Sequence, residues 1–296
     1  MDARKMCGDL PQMRTLDEKG FLRMESRSTL GNVLLALTLL VGIGLVGFLI
    51  TGQPTGHSVS KPAMSPKPSP AEILQALKAG NERFASGNLS RRNLDAARIA
   101  LAGRESQEKH AYATVISCSD SRVPVELIFD AGIMEMFVVR VAGNVCDTDE
   151  AGSIEYGLAH VHTPVLVVLG HTQCGAVTEV VHAVHGTGHP LERNIPPLVD
   201  NILPAVHRAM ERHPDTHGDA VVPFAIEENV WQAIEDLFMR SPAVRGLAAS
   251  GQVQVVGALY DLATGKVDWL DPDKTADILK RVEASPIRET QAFAVK

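Results

Sequence analysis

The longest apolar stretch in the chain is Val33 to Ile50, VLLALTLLVGIGLVGFLI, which carries no charge and, at about 1.5 Å of helical rise per residue, nearly spans a hydrocarbon core. A helix apolar on every face needs lipid or burial on all sides, and no partner elements flank this one. It reads as an N-terminal transmembrane or signal-anchor helix over 33–50, preceded by a leader over 1–32. From Thr51 onward Pro, Ser, Gly and Lys dominate without periodicity, so 51–69 reads as a linker. Ser69, Pro70 and Glu72 then form a helix-start signature of N-cap hydroxyl, first-turn proline and capping-box carboxylate. Ile73, Leu74, Leu77 and Phe84 give that helix an apolar stripe, and a domain over 70–296 begins with it.

Beyond the first helix the pattern shortens. Ala113 to Ser117, Met136 to Val141, Pro164 to Leu169 and Gln252 to Leu262 are β-branched apolar runs separated by helical patterns. Runs so continuously apolar suit parallel strands buried on both faces, and their alternation with helices predicts an α/β fold. The expected architecture is a central, mostly parallel β-sheet flanked by helices. The last run continues through Thr264 and Gly265 into Lys266 to Leu270, a strand, turn and short returning strand. Between Gly186 and Gly251 two helical stretches are expected, near Leu198 to Arg212 and Glu227 to Met239.

Charge settles what the domain does not do and where it works. A formal charge of −7 over 296 residues and a pI near 5.9 exclude a general nucleic-acid binder, since the Arg91–Arg92 pair is the only dense basic feature. Arg23 and Arg27 lie just ahead of the apolar stretch, whereas Lys61 and Lys67 follow it at a distance. The positive-inside bias places the leader in the cytoplasm, with the domain membrane-anchored in the periplasm or otherwise outside the cytoplasmic membrane. A start at Met24 would shorten the leader to that of a cleaved signal and leave the domain secreted.

Four cysteines in so long a chain do not make a disulfide framework. Cys7 precedes the apolar stretch, and Cys146 reads as a small buried residue. The other two lie beyond strands, where open parallel sheets bind ligands. The first run leads into Cys118-Ser119-Asp120-Ser121-Arg122-Val123-Pro124, the third into Gly170-His171-Thr172-Gln173-Cys174-Gly175. Two thiolates and an imidazole leave one position open on a tetrahedral zinc ion, the pattern of a catalytic site. Cys174 also opens a helix expected over Gly175 to His185, whose N-terminal dipole favours a thiolate. Asp120 can accept a hydrogen bond from a metal-bound water, and Arg122 can hold Asp120 by a bidentate pair. His182, His185 and His189 read as the exposed side of that helix and its exit, and Glu155 and Tyr156 as packing or interface residues.

These pieces together resemble the β-class carbonic anhydrases: CSDSRVP (118–124), FVVRVAGN (137–144), GSIEYG (152–157), GHTQCGA (170–176) and GALYDLATG (257–265). The resemblance runs from about Ala71 to Leu270. It implies a β-carbonic anhydrase-like catalytic domain, a homodimer or higher homo-oligomer, zinc on Cys118, His171 and Cys174, and a catalytic pair of Asp120 and Arg122. It further implies a substrate pocket shaped by Gly143, Asn144 and Gly175. The implied reaction is the reversible hydration of carbon dioxide to bicarbonate and a proton, with zinc lowering the pKa of a bound water toward neutrality. The same scaffold would also serve a carbon disulfide or carbonyl sulfide hydrolase, and a membrane-anchored structural zinc module is the reading without catalysis. Members with an inhibitory bicarbonate pocket carry a tryptophan three residues before the first cysteine ligand. Here that position is Val115, although Arg140 matches the arginine, so an open, unregulated site is expected.

Overall fold

The computed structural model describes residues 67–290; the leader, the apolar segment and most of the linker lie outside them. Among the described residues no helix is long and apolar enough to cross a membrane. The elements run α1 (Pro70–Ala85), α2 (Ala96–Ala102), β1 (Ala113–Cys118), α3 (Val125–Ile128), β2 (Met136–Val141) and α4 (Thr148–Glu155), then β3 (Val165–His171), α5 (Gly175–Val184), α6 (Pro196–Arg212), α7 (Val222–Arg240) and α8 (Pro242–Ala249). They end with β4 (Gln254–Tyr260), β5 (Val267–Trp269) and α9 (Pro272–Glu283).

The capping box forms as the sequence demands: the Ser69 N–H donates to Glu72 Oε2 at 2.8 Å, and the Ser69 hydroxyl accepts from the Glu72 N–H. Just ahead of it, the Lys67 ammonium donates to the carbonyls of Ala111 and Val161 at 2.7 and 2.5 Å. The end of the segment read as linker is thus tied to the domain. Ile73 and Leu77 of α1 are buried, and Phe84 packs at a tilt on Tyr260 with ring centroids 6.3 Å apart.

The sheet has the order β2-β1-β3-β4-β5, with the first four strands parallel and β5 antiparallel to β4. β1 and β3, at its centre, are buried along their whole length, so their valines and isoleucines feed apolar clusters on both faces. The expectation of two-sided burial fails at β2. Although its sequence MFVVRV is equally apolar, β2 is the edge strand and only half-buried. Composition alone does not reveal strand order, because a run apolar on both faces marks burial in whatever assembly the chain adopts. Two further departures are local. The third strand runs through Gly170 and His171 rather than stopping at Leu169, and a third helix, α8, follows the two expected between Gly186 and Gly251.

The register places the chemistry. Cys118, last in β1, lies opposite Val141 of β2, while Ser117 pairs with Leu169 of β3, so Cys118 and His171 finish neighbouring strands at the same end of the sheet. β4 is in register to hold that end, with Tyr260 opposite His171.

Candidate metal centre

Three side chains converge where β1 and β3 end. Cys118, His171 and Cys174 are 5 %, 0 % and 1 % exposed, and their ligating atoms all lie within 4.8 Å of one another. His171 reaches this position from a strand terminus rather than a turn. Cys174 is the N-cap of α5, where the amides of Val177 and Ala176 favour its thiolate. The loop between them is fastened by β4: the Thr172 N–H donates to the Tyr260 carbonyl at 2.9 Å, and the Thr172 hydroxyl accepts from the Leu262 N–H at 3.0 Å.

The imidazole tautomer follows from its neighbours. Nδ1 lies 2.9 Å from the Thr172 carbonyl, which can only accept, so Nδ1 carries the proton. Nε2 then presents a bare lone pair, and it is buried with no hydrogen-bond partner. A buried acceptor left unbonded costs on the order of 1–3 kcal/mol, and the two cysteine sulfurs beside it offer no comparable donor. A hydrogen bond from Cys174 draws the Cys118 thiol down to about 4, and the same contact, with burial, pushes Cys174 up. A cation seated among two sulfurs and a nitrogen would displace the thiol protons and relieve this coupling. The donor set is the one zinc prefers, with a fourth position open.

Asp120 stands beside this cluster, its Oδ2 4.0 Å from His171 Nε2. Arg122 grips it bidentately, Nε to Oδ1 at 3.0 Å and Nη2 to Oδ2 at 2.7 Å, and adds its own backbone N–H at 2.9 Å. Those bonds hold the Asp120 carboxyl well below the usual carboxylate range. The guanidinium also donates to the Gln173 carbonyl at 3.1 Å, which ties the β1 loop to the β3 loop. Arg140, from β2, clamps the other side by donating to the carbonyls of Cys118 and Asp120 at 3.1 and 2.7 Å.

Of the residues expected around the substrate, Gly143 donates its N–H to Cys118 Sγ at 3.3 Å. Asn144 is buried with an unpartnered Nδ2, and Gly175 begins α5 with open space where a Cβ would stand. Cys146 lies apart from the cluster, in an apolar neighbourhood with Ile116 and Ile154, and burial raises its thiol far above the ordinary range. His182 pairs with Asp219 at 2.7 Å and His189 with Glu179 at 3.6 Å, both at the surface. Glu155 accepts from the Ser241 hydroxyl at 2.5 Å, a packing contact, whereas Tyr156 is 52 % exposed and lies on Phe137. Sequence reasoning missed Asn229, whose Nδ2 donates to the Gly143 carbonyl at 2.7 Å. No local signal marks it, since Asn229 falls beside Glu228 and Gln232 on a stripe of α7 that reads as solvated.

Residues 113–267 match the family model for carbonic anhydrase. The chain belongs to the β-class carbonic anhydrase family. Similar relatives include the carbonic anhydrase of Mycolicibacterium smegmatis, 34 % identical over 203 residues, covering 69 % of this chain and 94 % of the relative. Carbonic anhydrase 2 of Mycobacterium tuberculosis is likewise 34 % identical over 203 residues, with 68 % and 93 % covered. Among solved structures, the β-carbonic anhydrase CafA of the fungal pathogen Aspergillus fumigatus superposes with a TM-score of 0.52 at 25 % identity, over 71 % of this chain and 96 % of that one. The β-carbonic anhydrase CcaA shares the fold at a TM-score of 0.52 and 24 % identity, over 67 % and 95 %. The protein is a zinc-dependent carbonic anhydrase, and hydration of carbon dioxide is the reaction of its family.

Proposed function

We propose that Cys118, His171 and Cys174 hold the zinc of this carbonic anhydrase and that Asp120, kept in place by Arg122, directs the reacting water. The buried Nε2 of His171, left without a hydrogen-bond partner beside two sulfurs, carries this reading, since a metal ion would satisfy all three donors at once. Bound there, zinc supplies a Lewis acid and a water acidified toward neutral pH. The remaining work falls to the chain. The ionised Asp120, an acceptor only, takes a hydrogen bond from the attacking water and so turns the water's lone pair toward the carbon of carbon dioxide. Arg122 occupies both Asp120 oxygens and thereby keeps the carboxylate from becoming a fourth ligand. Gly143, Asn144 and Gly175 border the space for the linear substrate. Stopped-flow hydration of carbon dioxide, measured beside zinc content, tests this: activity that tracks one zinc per chain is expected, and full activity in metal-stripped protein would end the reading.

A homodimer or larger homo-oligomer accords with the half-buried apolar edge strand β2, the exposed Tyr156, and α2, which has no buried residue while Leu94 and Ile99 beside or within it face outward. The sequence of Val33 to Ile50, with Arg23 and Arg27 before it, supports a membrane anchor that leaves the catalytic domain outside the cytoplasmic membrane. Alkaline phosphatase fused after the linker should be active in intact bacterial cells; stable but inactive fusion protein in the cytoplasm would reverse the orientation.

A further inference from the structure

Helix α7 turns Ala225, Ile226, Val230 and Ala233 into the core, and Asn229 stands in the middle of that face, 1 % exposed. A primary amide in such a place needs bonds to replace those it made with water. Its Nδ2 finds one in the Gly143 carbonyl, 86 residues away in sequence. Gly143 in turn aims its N–H in the other direction, onto Cys118 Sγ. The glycine holds a left-handed conformation, φ 72° and ψ 13°, in which a Cβ would come within 2.8 Å of Ile202 Cδ1 and 3.2 Å of Ala176 Cβ. The turn is therefore boxed in by α5 and α6 and fastened by α7, with no other purpose visible for the buried amide.

We propose that Asn229 is a positioning residue for the metal centre: by fixing the Gly143 carbonyl it aims the Gly143 N–H at the Cys118 sulfur and sets the orientation and donor strength of that ligand. The inference rests on the assignment of Cys118 as a ligand. An N–H bonded to a thiolate draws electron density from it and selects which lone pair remains for a metal, so loosening the peptide changes the metal–sulfur bond itself. That separates the role from generic core packing, which would alter stability and leave the bond unchanged.

The test uses full-length protein with Asn229→Leu, near in size but without a donor, and Asn229→Ala. Zinc affinity is read by chelator competition, and the sulfur-to-metal charge-transfer band by loading with Co(II). Variants that keep the parent's circular dichroism should bind zinc about tenfold more weakly, as loss of an outer partner of a ligand does, and should shift the charge-transfer band. A folded variant with affinity within about twofold of the parent, well below that expected loss, and an unmoved band overturns the proposal. If neither variant folds, the parent loaded with ¹¹³Cd decides: the Gly143 amide proton should couple to the metal through Cys118, and absence of that coupling overturns it. Cys118→Ser runs alongside. Were it to keep affinity and band, the ligand assignment would fall, a result distinct from unchanged Asn229 variants beside a defective Cys118→Ser.

Discussion

The three proposed ligands and the two residues proposed to serve the substrate sit side by side but in opposite environments. Cys118, His171 and Cys174 are sealed from solvent, while the side chains of Asp120 and Arg122 are 19 % and 50 % exposed. The difference divides the labour. A buried set with a fixed tautomer can hold a cation tightly, because water does not compete for its lone pairs. An exposed pair with three mutual hydrogen bonds can meet a substrate arriving from water while keeping its geometry. Substitutions in the buried set should thus remove the metal, and substitutions in the exposed pair should leave the metal and remove the reaction.

The largest effects test the first half. Cys118→Ser or Cys174→Ser replaces a thiolate by a neutral hydroxyl, a poor zinc ligand, and His171→Ala removes the imidazole outright. Each should reduce zinc content to a small fraction and abolish hydration, measured by metal analysis with stopped-flow assay. Full metal and full rate in any of them would break the comparison. In the exposed pair, Asp120→Ala should keep its zinc and lose activity by about 10²-fold or more. Metal loss equal to that of a ligand variant would make Asp120 a permanent ligand instead. Arg122→Ala should be nearly as damaging, since a freed Asp120, 4.0 Å from His171 Nε2, can turn toward the metal.

Between these extremes lies the loop that touches the buried set from outside. Gly143→Ala puts a side chain at φ 72°, which costs about 1–2 kcal/mol by backbone strain alone, and presses on Ile202. Thermal unfolding should show that loss, and zinc affinity should fall with it. A variant as stable as the parent would mean that the turn relaxes freely and does not constrain Cys118.

How much of this could be read beforehand depended on whether the cause was local. Cys118, Asp120, Arg122, His171 and Cys174 announce themselves because metal and proton chemistry demand particular residue types at short spacing. The central strands β1 and β3 and the cap of α1 are legible for a similar reason, since each is written within a few consecutive residues. What stayed hidden depends on partners far along the chain. The edge position of β2 is a matter of strand order, not of the sequence MFVVRV. In α7, Glu228, Asn229 and Gln232 look like a solvated face, yet all three are buried, because α6 and α9 as well as the sheet close around the helix. Glu228 meets Arg208, Arg212 and Lys274 there, and Asn229 meets Gly143, none of which its own neighbours foretell.

The same helix gives the mildest test of the contrast between buried and paired groups. Asp236 and Asp120 are both aspartates, but they shift in opposite directions: Arg122 pulls Asp120 down, whereas burial pushes Asp236 up to about 6, and its bond from the neutral Gln232 amide at 2.8 Å only partly offsets that. A carboxyl whose folded pKa exceeds its unfolded value binds its proton more tightly in the native state. Its contribution is therefore favourable at low pH and is lost as pH rises from about 4, the unfolded value, through about 6. Above that range the ionised, half-buried carboxylate is a standing cost to the fold. Asp236→Asn keeps an oxygen for Gln232 and removes the charge, so at pH 8 it should stabilise the domain by about 1–3 kcal/mol without changing zinc content or hydration rate. At pH 4 the gain should vanish, because the aspartate is then protonated in the native state. Denaturant unfolding at both pH values reads the difference, and a variant less stable than the parent at pH 8 would show that the carboxylate is compensated by the positive charge of Arg208 and Arg240 rather than stranded by burial.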